Sequence, residues 1–351
     1  MATERTLSSR LSEVDPEGHQ FIKGLRLVAT YGIAVVLGAL FDPAHSASEL
    51  KSLGTLAAGA ALFAMVSEAR AGRYEGSRDL LLLTGSACLG AAVTALIGPP
   101  FATRVTAGAE WTLVIGAFAV GFMKPIGPLA AGVGSQFYIG QLLAYGQELG
   151  SGDLKRIGLA GLIALFATIA ARVSFAPREC RITPWQPGGA KAPFGMPPAL
   201  AMGLQAAIPA SLIVLLNARM VMDESVWAMT ACVYVVAVTR TGTIDRIRRR
   251  MLGTAIGVPL GLLCVPLAVQ WPALAWSCAA VAVVVYAMAL ADRYDIACGT
   301  FAFALVITLA ASGEHSVLHL SARLWETALG ALLASCVTVF LFPLREPAPQ
   351  T

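Results

Sequence analysis

The sequence predicts an all-α integral membrane protein of about twelve transmembrane helices, built as two six-helix parallel repeats. Three observations carry that expectation. The first is composition: 57% of the 351 residues are hydrophobic, 13% are charged, and the mean hydropathy is +0.71. Soluble domains carry about a quarter charged residues, so this chain has too little polar surface to face water, and lipid is its natural solvent. The second is a series of twelve apolar runs. The third is a likeness between the two halves of the chain.

A helix that crosses a bilayer needs ~20 mostly apolar residues. Such runs lie near 25–41, 52–67, 79–98, 109–123, 125–146 and 156–175. A second series lies near 198–217, 225–239, 251–270, 272–291, 296–312 and 322–342. The runs at 52–67, 109–123 and 225–239 are the shortest and need flanking residues or neighbours to cover the deficit. Lys124, Pro125 and Pro128 favour a turn between the fourth run and the fifth. Residues 1–23 hold Glu4, Glu13, Asp15 and Glu17 and no apolar core, so they read as a polar cytoplasmic tail and not as a signal peptide. The expected organisation is that tail (1–23), a first six-helix half (24–175), a cytoplasmic Pro/Gly-rich connector (176–197), a second six-helix half (198–343) and a cytoplasmic tail (344–351).

Lysine and arginine placement sets the orientation. With the N-terminus inside and all twelve runs spanning, nineteen of the 25 lysines and arginines fall on the cytoplasmic side and six outside. Both termini are then cytoplasmic. The densest group is "TRTGTIDRIRRRMLGTAIG" (239–257), where Arg240, Arg246, Arg248, Arg249 and Arg250 form the loop between spans eight and nine. Nothing aromatic or sheet-like accompanies these charges, so nucleic acid is excluded as a partner. Anionic membrane lipid headgroups are the partner that the location supplies.

The chain holds seven cysteines and no CxxC pair, which indicates neither a disulfide framework nor a zinc site. The i, i+4 pair of His315 and His319 beside Glu314 reads as a coincidence of spacing on a short loop, so no metal or other cofactor is expected. There is no phosphate-binding glycine loop for ATP. No nucleophile–base set lies in the runs, and the chain reads as a non-enzyme.

The two halves resemble one another. "EARAGRYEGSR" (68–78) and "VTRTGTIDRIR" (238–248) share Arg70/Arg240, Gly72/Gly242 and Arg78/Arg248 at one constant offset, which Thr84/Thr254 also keeps. Each half closes on an apolar helix that ends at proline, Pro177 and Pro343. Six spans per half put both halves the same way up, as parallel repeats require.

The second half carries two short motifs. One is Arg250-Met-Leu-Gly253-Thr254-Ala-Ile-Gly257, after a tryptophan-led run that starts at Trp227; the other is Arg323-Leu-Trp-Glu326-Thr327-Ala-Leu-Gly330. This pattern resembles the fusaric acid resistance family, which includes the aromatic acid exporters and is similar to plant aluminium-activated malate channels. Many members have a large soluble domain, whereas this chain has only the connector. The resemblance implies an inner-membrane secondary transporter that exports small aromatic carboxylic acids, with proton coupling and a periplasmic adaptor as partner. It implies a passive organic-anion channel as the alternative. A homo-oligomer is compatible with either.

Polar residues inside spans are costly and mark candidate sites. Ser135, Tyr138, Gln141 and Tyr145 step along one face of the fifth run; they either bond neighbouring helices or line a cavity for an aromatic ring. Trp227, Thr230 and Tyr234 share a face of the eighth run, as an interfacial belt or as part of the same cavity. Arg240 and Arg70 occupy equivalent repeat positions, as topological anchors or as partners for a substrate carboxylate. For proton coupling the candidates are Glu326, then Glu68. Gly253, Gly257 and Gly261 form a four-spaced stripe that lets helix backbones approach closely. Pro259 and Pro266 free backbone carbonyls, which must then face protein or a water-filled path.

Overall fold

The computed structural model describes residues 15, 18–41, 52–68, 73–175, 195–220, 222, 224–237, 239–290, 292–313 and 316–343. Arg70, Glu314, His315, the connector up to residue 194 and the tail from 344 lie outside the described residues. Among the described residues every regular element is a helix. In the first half these are α1 (His19–Phe41), α2 (Leu53–Val66), α3 (Arg73–Ala102), α4 (Trp111–Met123), α5 (Pro128–Gly146) and α6 (Leu154–Ser174). The second half holds α7 (Pro198–Met220), α8 (Ser225–Val235), α9 (Arg240–Leu263), α10 (Val265–Gln270), α11 (Pro272–Ala289), α12 (Tyr294–Ala311) and α13 (Val317–Cys336). A single π turn, Val337–Leu341, prolongs α13.

Helix starts follow local chemistry. The hydroxyls of Ser52, Thr239 and Ser316 accept from the backbone N–H of Thr55, Gly242 and His319, which satisfies a donor that the first turn leaves open. Pro128 and Pro272 open α5 and α11, where a missing N–H costs nothing. Proline also explains a departure from expectation. The apolar run 251–270 is not one helix: α9 stops at Leu263, Cys264 turns, and Pro266 starts the short α10. A proline ring cannot follow an intact helical turn without losing a hydrogen bond and clashing with the carbonyl four residues back.

Seven helices are long and apolar enough to cross a membrane, by length and composition: His19–Phe41, Glu75–Ala102, Ser151–Ser174, Pro198–Met220, Pro272–Ala289, Tyr294–Ala311 and Val317–Leu341. Leu53–Val66, Gly108–Met123 and Ser225–Val235 are apolar but shorter. These are the three runs that the sequence marks as short.

The interior and the surface are inverted relative to a soluble protein. Alanine dominates the core, while large apolar side chains point outward. Leu162, Phe166, Ile169 and Val173 make one exposed stripe on α6, and Leu252, Ile256, Leu260 and Leu263 make another on α9. Water would penalise such stripes and lipid does not; between lipid-embedded helices small residues hold the contact instead. The chain is a multi-pass membrane protein.

Contacts between helix termini define two ends of the bundle. At one end the start of α1 meets the ends of α2 and α6: Lys23 donates to the Val66 carbonyl, and Arg26 and Arg172 both pair with Glu68. At the other end the start of α4 meets the ends of α5 and α7 and the start of α8, as described below. Packing partners recur in the two halves. α3 runs along α5 and α9 along α12; α2 packs on α6 and α8 on α13. Across the halves, α4 lies on α7 and α11 on α1.

Candidate functional site

Each arginine motif is a docking device between two helices. In α9, Arg250, Gly253 and Gly257 lie three and seven residues apart, hence on one face. A Cβ on Gly253 would sit 2.3 Å from the Asp295 carbonyl oxygen, and one on Gly257 would sit 2.1 Å from that of Gly299, both on α12. Gly261 continues the stripe onto Val306. In α13, a Cβ on Gly330 would sit 2.0 Å from the Ala228 carbonyl oxygen of α8. Glu326, fully buried, accepts from the Glu224 N–H at 2.9 Å, and the Arg323 guanidinium lies 3.7 Å from the centre of the Trp227 ring. That stacking is a cation–π contact.

The glycine contacts aim Arg250 into a group of tyrosines. Its guanidinium is within hydrogen-bonding reach of the Tyr294 hydroxyl and within electrostatic reach of Cys298 and Tyr234. Tyr286 and Tyr138 lie in the same field. Four of the seven tyrosines of the chain, from α5, α8, α11 and α12, thus lie within electrostatic reach of one arginine. The Tyr138 and Tyr234 rings meet edge-on, with centres 6.2 Å apart, and the Ser135 and Tyr234 hydroxyls are 2.8 Å apart. Tyr286 leads through Phe301 (5.8 Å) to Phe63 of α2 (6.2 Å), which extends the aromatic lining towards the first half. Arg250, Tyr234, Tyr286 and Tyr294 keep some accessible surface, while Tyr138 is fully buried.

No carboxylate among the described residues pairs with Arg250. Positive groups lie nearby: Arg246 is one turn away in α9, and Lys124 lies beside Arg246 in the turn between α4 and α5. The neighbouring carboxylate, Asp295 next to Tyr294, pairs with Arg293. Lys124 donates to the Val236 carbonyl. Burial, with the Arg246 charge adding to it, pushes the Lys124 ammonium down from 10.5 to about 7. A buried ammonium loses hydration, so its neutral form gains. Chemically this end offers a cation fork, two further positive groups and a wall of tyrosines.

The opposite end holds a different constellation. Glu110, only 3% exposed, ends a short 3-10 turn (Gly108–Glu110) that leads into α4. Its Oε1 accepts from the Tyr145 hydroxyl at 2.8 Å (α5), the Asn217 amide at 2.6 Å (α7) and the Ser225 hydroxyl at 2.9 Å (α8). Among the described residues its Oε2 has no hydrogen-bond partner. Glu110 and Tyr145 border an open cavity of about 410 Å³ with Thr103, Arg104, Val105 and Thr106. The loop is held tightly there: Gly108 lies against the Phe101 carbonyl, where a Cβ would come within 2.1 Å.

The sequence candidates therefore separate. Tyr138 and Tyr234 come together near Arg250. Tyr145 and Trp227 belong to the other end, and Gln141 is consumed between helices, donating to the Thr112 carbonyl at 2.8 Å. Arg240 is exposed at the first turn of α9, ten residues or about 15 Å of helix from Arg250. Glu68 sits between Arg26 and Arg172, and Glu326 lies in the field of Arg323. Arg250 and Glu110 are the residues that sequence reasoning missed. Arg250 was detectable as the member of its cluster in phase with Gly253 and Gly257; the signal for Glu110 was a lone carboxylate inside an apolar run. Among the described residues there is no cluster of three potential metal ligands.

No curated protein and no solved structure matches the chain. Residues 208–337, 130 of the 351 and including both arginine motifs, match the family model described as fusaric acid resistance protein-like, which supports the family resemblance that those motifs carry.

Proposed function

We propose that this chain is an inner-membrane secondary transporter that exports small aromatic carboxylic acids, of the fusaric-acid or hydroxybenzoate kind, in exchange for protons. The observation that carries the reading is Arg250: a largely enclosed cation that has no carboxylate partner among the described residues and lies within electrostatic reach of four tyrosines. Leaving a guanidinium uncompensated in a membrane bundle is costly, and an incoming carboxylate removes that cost with two parallel hydrogen bonds. Tyr234, Tyr286 and Tyr294, which keep accessible surface, offer ring edges and faces to an aromatic ligand, and the buried Tyr138 backs Tyr234. Lys124 and Arg246 raise the local anion concentration at the entrance. The arginine-rich end is the cytoplasmic one by the positive-inside rule, so the anion loads from the cytoplasm. The recurring helix neighbours of the two halves support twelve crossings in two repeats, with the three short helices spanning under the protection of their neighbours.

The reading is tested on purified protein by the binding of 4-hydroxybenzoate and of its neutral amide. Arg250→Gln should weaken the carboxylate at least tenfold, about 1.4 kcal/mol or more, and leave the amide within about twofold. Arg240→Gln should change neither. An equal loss for both ligands in Arg250→Gln would make the arginine a structural residue and remove the basis for the proposal.

A further inference from the structure

Among the described residues four carboxylates are buried, Glu68, Asp79, Glu110 and Glu326, and three of them show how differently such a charge is surrounded. Glu68 has Arg26 and Arg172, and Glu326 has Arg323 nearby and the Glu224 N–H. Among the described residues Glu110 has neutral donors alone, all three on one oxygen, and its second oxygen has no hydrogen-bond partner. The groups around it are Tyr145 and Glu148 on the α5 side, Asn217 on α7, Glu224 and Ser225 at the start of α8, and Arg104 across the cavity; among the described residues none of them forms an ion pair with Glu110. Ser225 and Glu224 are consecutive, so the first turn of α8 binds Glu110 through one residue and Glu326 through the next. Two carboxylates share one helix end, which favours only so much negative charge. Glu110 also ties the two halves: α4 and α5 come from the first, α7 and α8 from the second.

We propose that Glu110 is the proton-carrying residue of this transporter, taking its proton from the cavity on the side opposite the arginine-rich end; the inference rests on the proton-coupled reading above. The proton adds to the carboxylate and leaves it neutral. A neutral carboxyl accepts the Tyr145, Asn217 and Ser225 hydrogen bonds more weakly than the anion does. Protonation therefore loosens the tie between the halves at that end, and release of the proton restores it.

The test is reconstitution in proteoliposomes, with 4-hydroxybenzoate as the probe and the pH of each face set separately. Two assays are run: accumulation driven by a proton gradient, and exchange of labelled for unlabelled acid without a gradient. Glu110→Gln keeps an oxygen for the three donors and should lose gradient-driven accumulation at least tenfold while exchange stays within about threefold. Tyr145→Phe removes one donor and keeps the carboxylate. It should move the pH midpoint on the cavity face upward, whereas a purely packing role would lower activity at every pH without moving that midpoint. Gradient-driven accumulation by Glu110→Gln with an unchanged pH profile would overturn the proposal and leave the transporter reading intact. If Glu110→Gln fails to fold, an unmoved midpoint in Tyr145→Phe overturns the proposal equally. Wild-type flux indifferent to the gradient would overturn the coupled reading itself, and this proposal with it.

Discussion

At the scale of single residues, the contrast between Arg240 and Arg250 shows how the fold sorts chemically identical side chains. Both belong to the same basic cluster, yet one is exposed at a helix start and the other is turned inward by a glycine stripe. The cluster was legible as a dense positive group, but the expected loop is not what the structure holds: all five arginines lie in α9, which starts at Arg240 and continues through them into the apolar stretch. The inward turn of Arg250 was not legible, because it depends on which face of α9 meets α12. Glu110 was missed for a related reason. A carboxylate near the edge of an apolar run reads as a boundary residue until three helices are seen to converge on it. Lys124 gives a pH-dependent prediction. Its ammonium titrates near 7, so it is charged below that value and neutral above it. An anion bound at Arg250 gains from the charge, and affinity should fall by roughly three- to tenfold as the pH on that face rises through this window. Titrating carboxylate binding against pH checks it: Lys124→Gln should hold the weak value throughout and Lys124→Arg the strong one. A dependence unaltered in both variants would assign the titration to another group.

At the scale of elements, each short motif turns out to specify a helix pair. R-x-x-G-T-x-x-G joins α9 to α12, and R-x-x-E-T-x-x-G joins α13 to α8. The glycines set the approach of the backbones, and the charged residue one turn earlier sets what lies beside the contact. Existence and order of the helices were readable from hydropathy because each apolar run is covered by helix. Their ends were less so: Pro266 divides a run that looks continuous, and α3 extends back to Arg73, well before its apolar part begins. Gly257→Ala should place a methyl group against the Gly299 carbonyl and cost about 1–3 kcal/mol, visible as a lower unfolding temperature in detergent and a poorer folded yield. Gly158→Ala on α6, where a Cβ meets nothing within 4 Å, should leave the protein as stable or slightly more so. Equal behaviour of the two variants would mean that the α9–α12 approach is less close than described.

At the scale of the whole molecule, the bundle has a positive, tyrosine-lined end and an opposite end where one carboxylate fastens the two halves together. An anion that loads at the first and a proton that enters at the second would move in opposite directions, which is the arrangement an exporter driven by proton influx requires. Composition alone pointed to membrane insertion, because no water-soluble packing can hide this much apolar surface. The two chemically distinct ends could not be read in advance, since they are assembled from residues more than a hundred positions apart, such as Glu110 with Asn217 and Ser225. The most direct measurement is release of preloaded hydroxybenzoate and of a pyridine carboxylate from cells with and without the protein, each with and without a protonophore. The account predicts protein-dependent release that the protonophore abolishes. Release that persists after the gradient is collapsed would contradict it and favour a passive anion channel, and release that does not depend on the protein would contradict transport of these acids altogether.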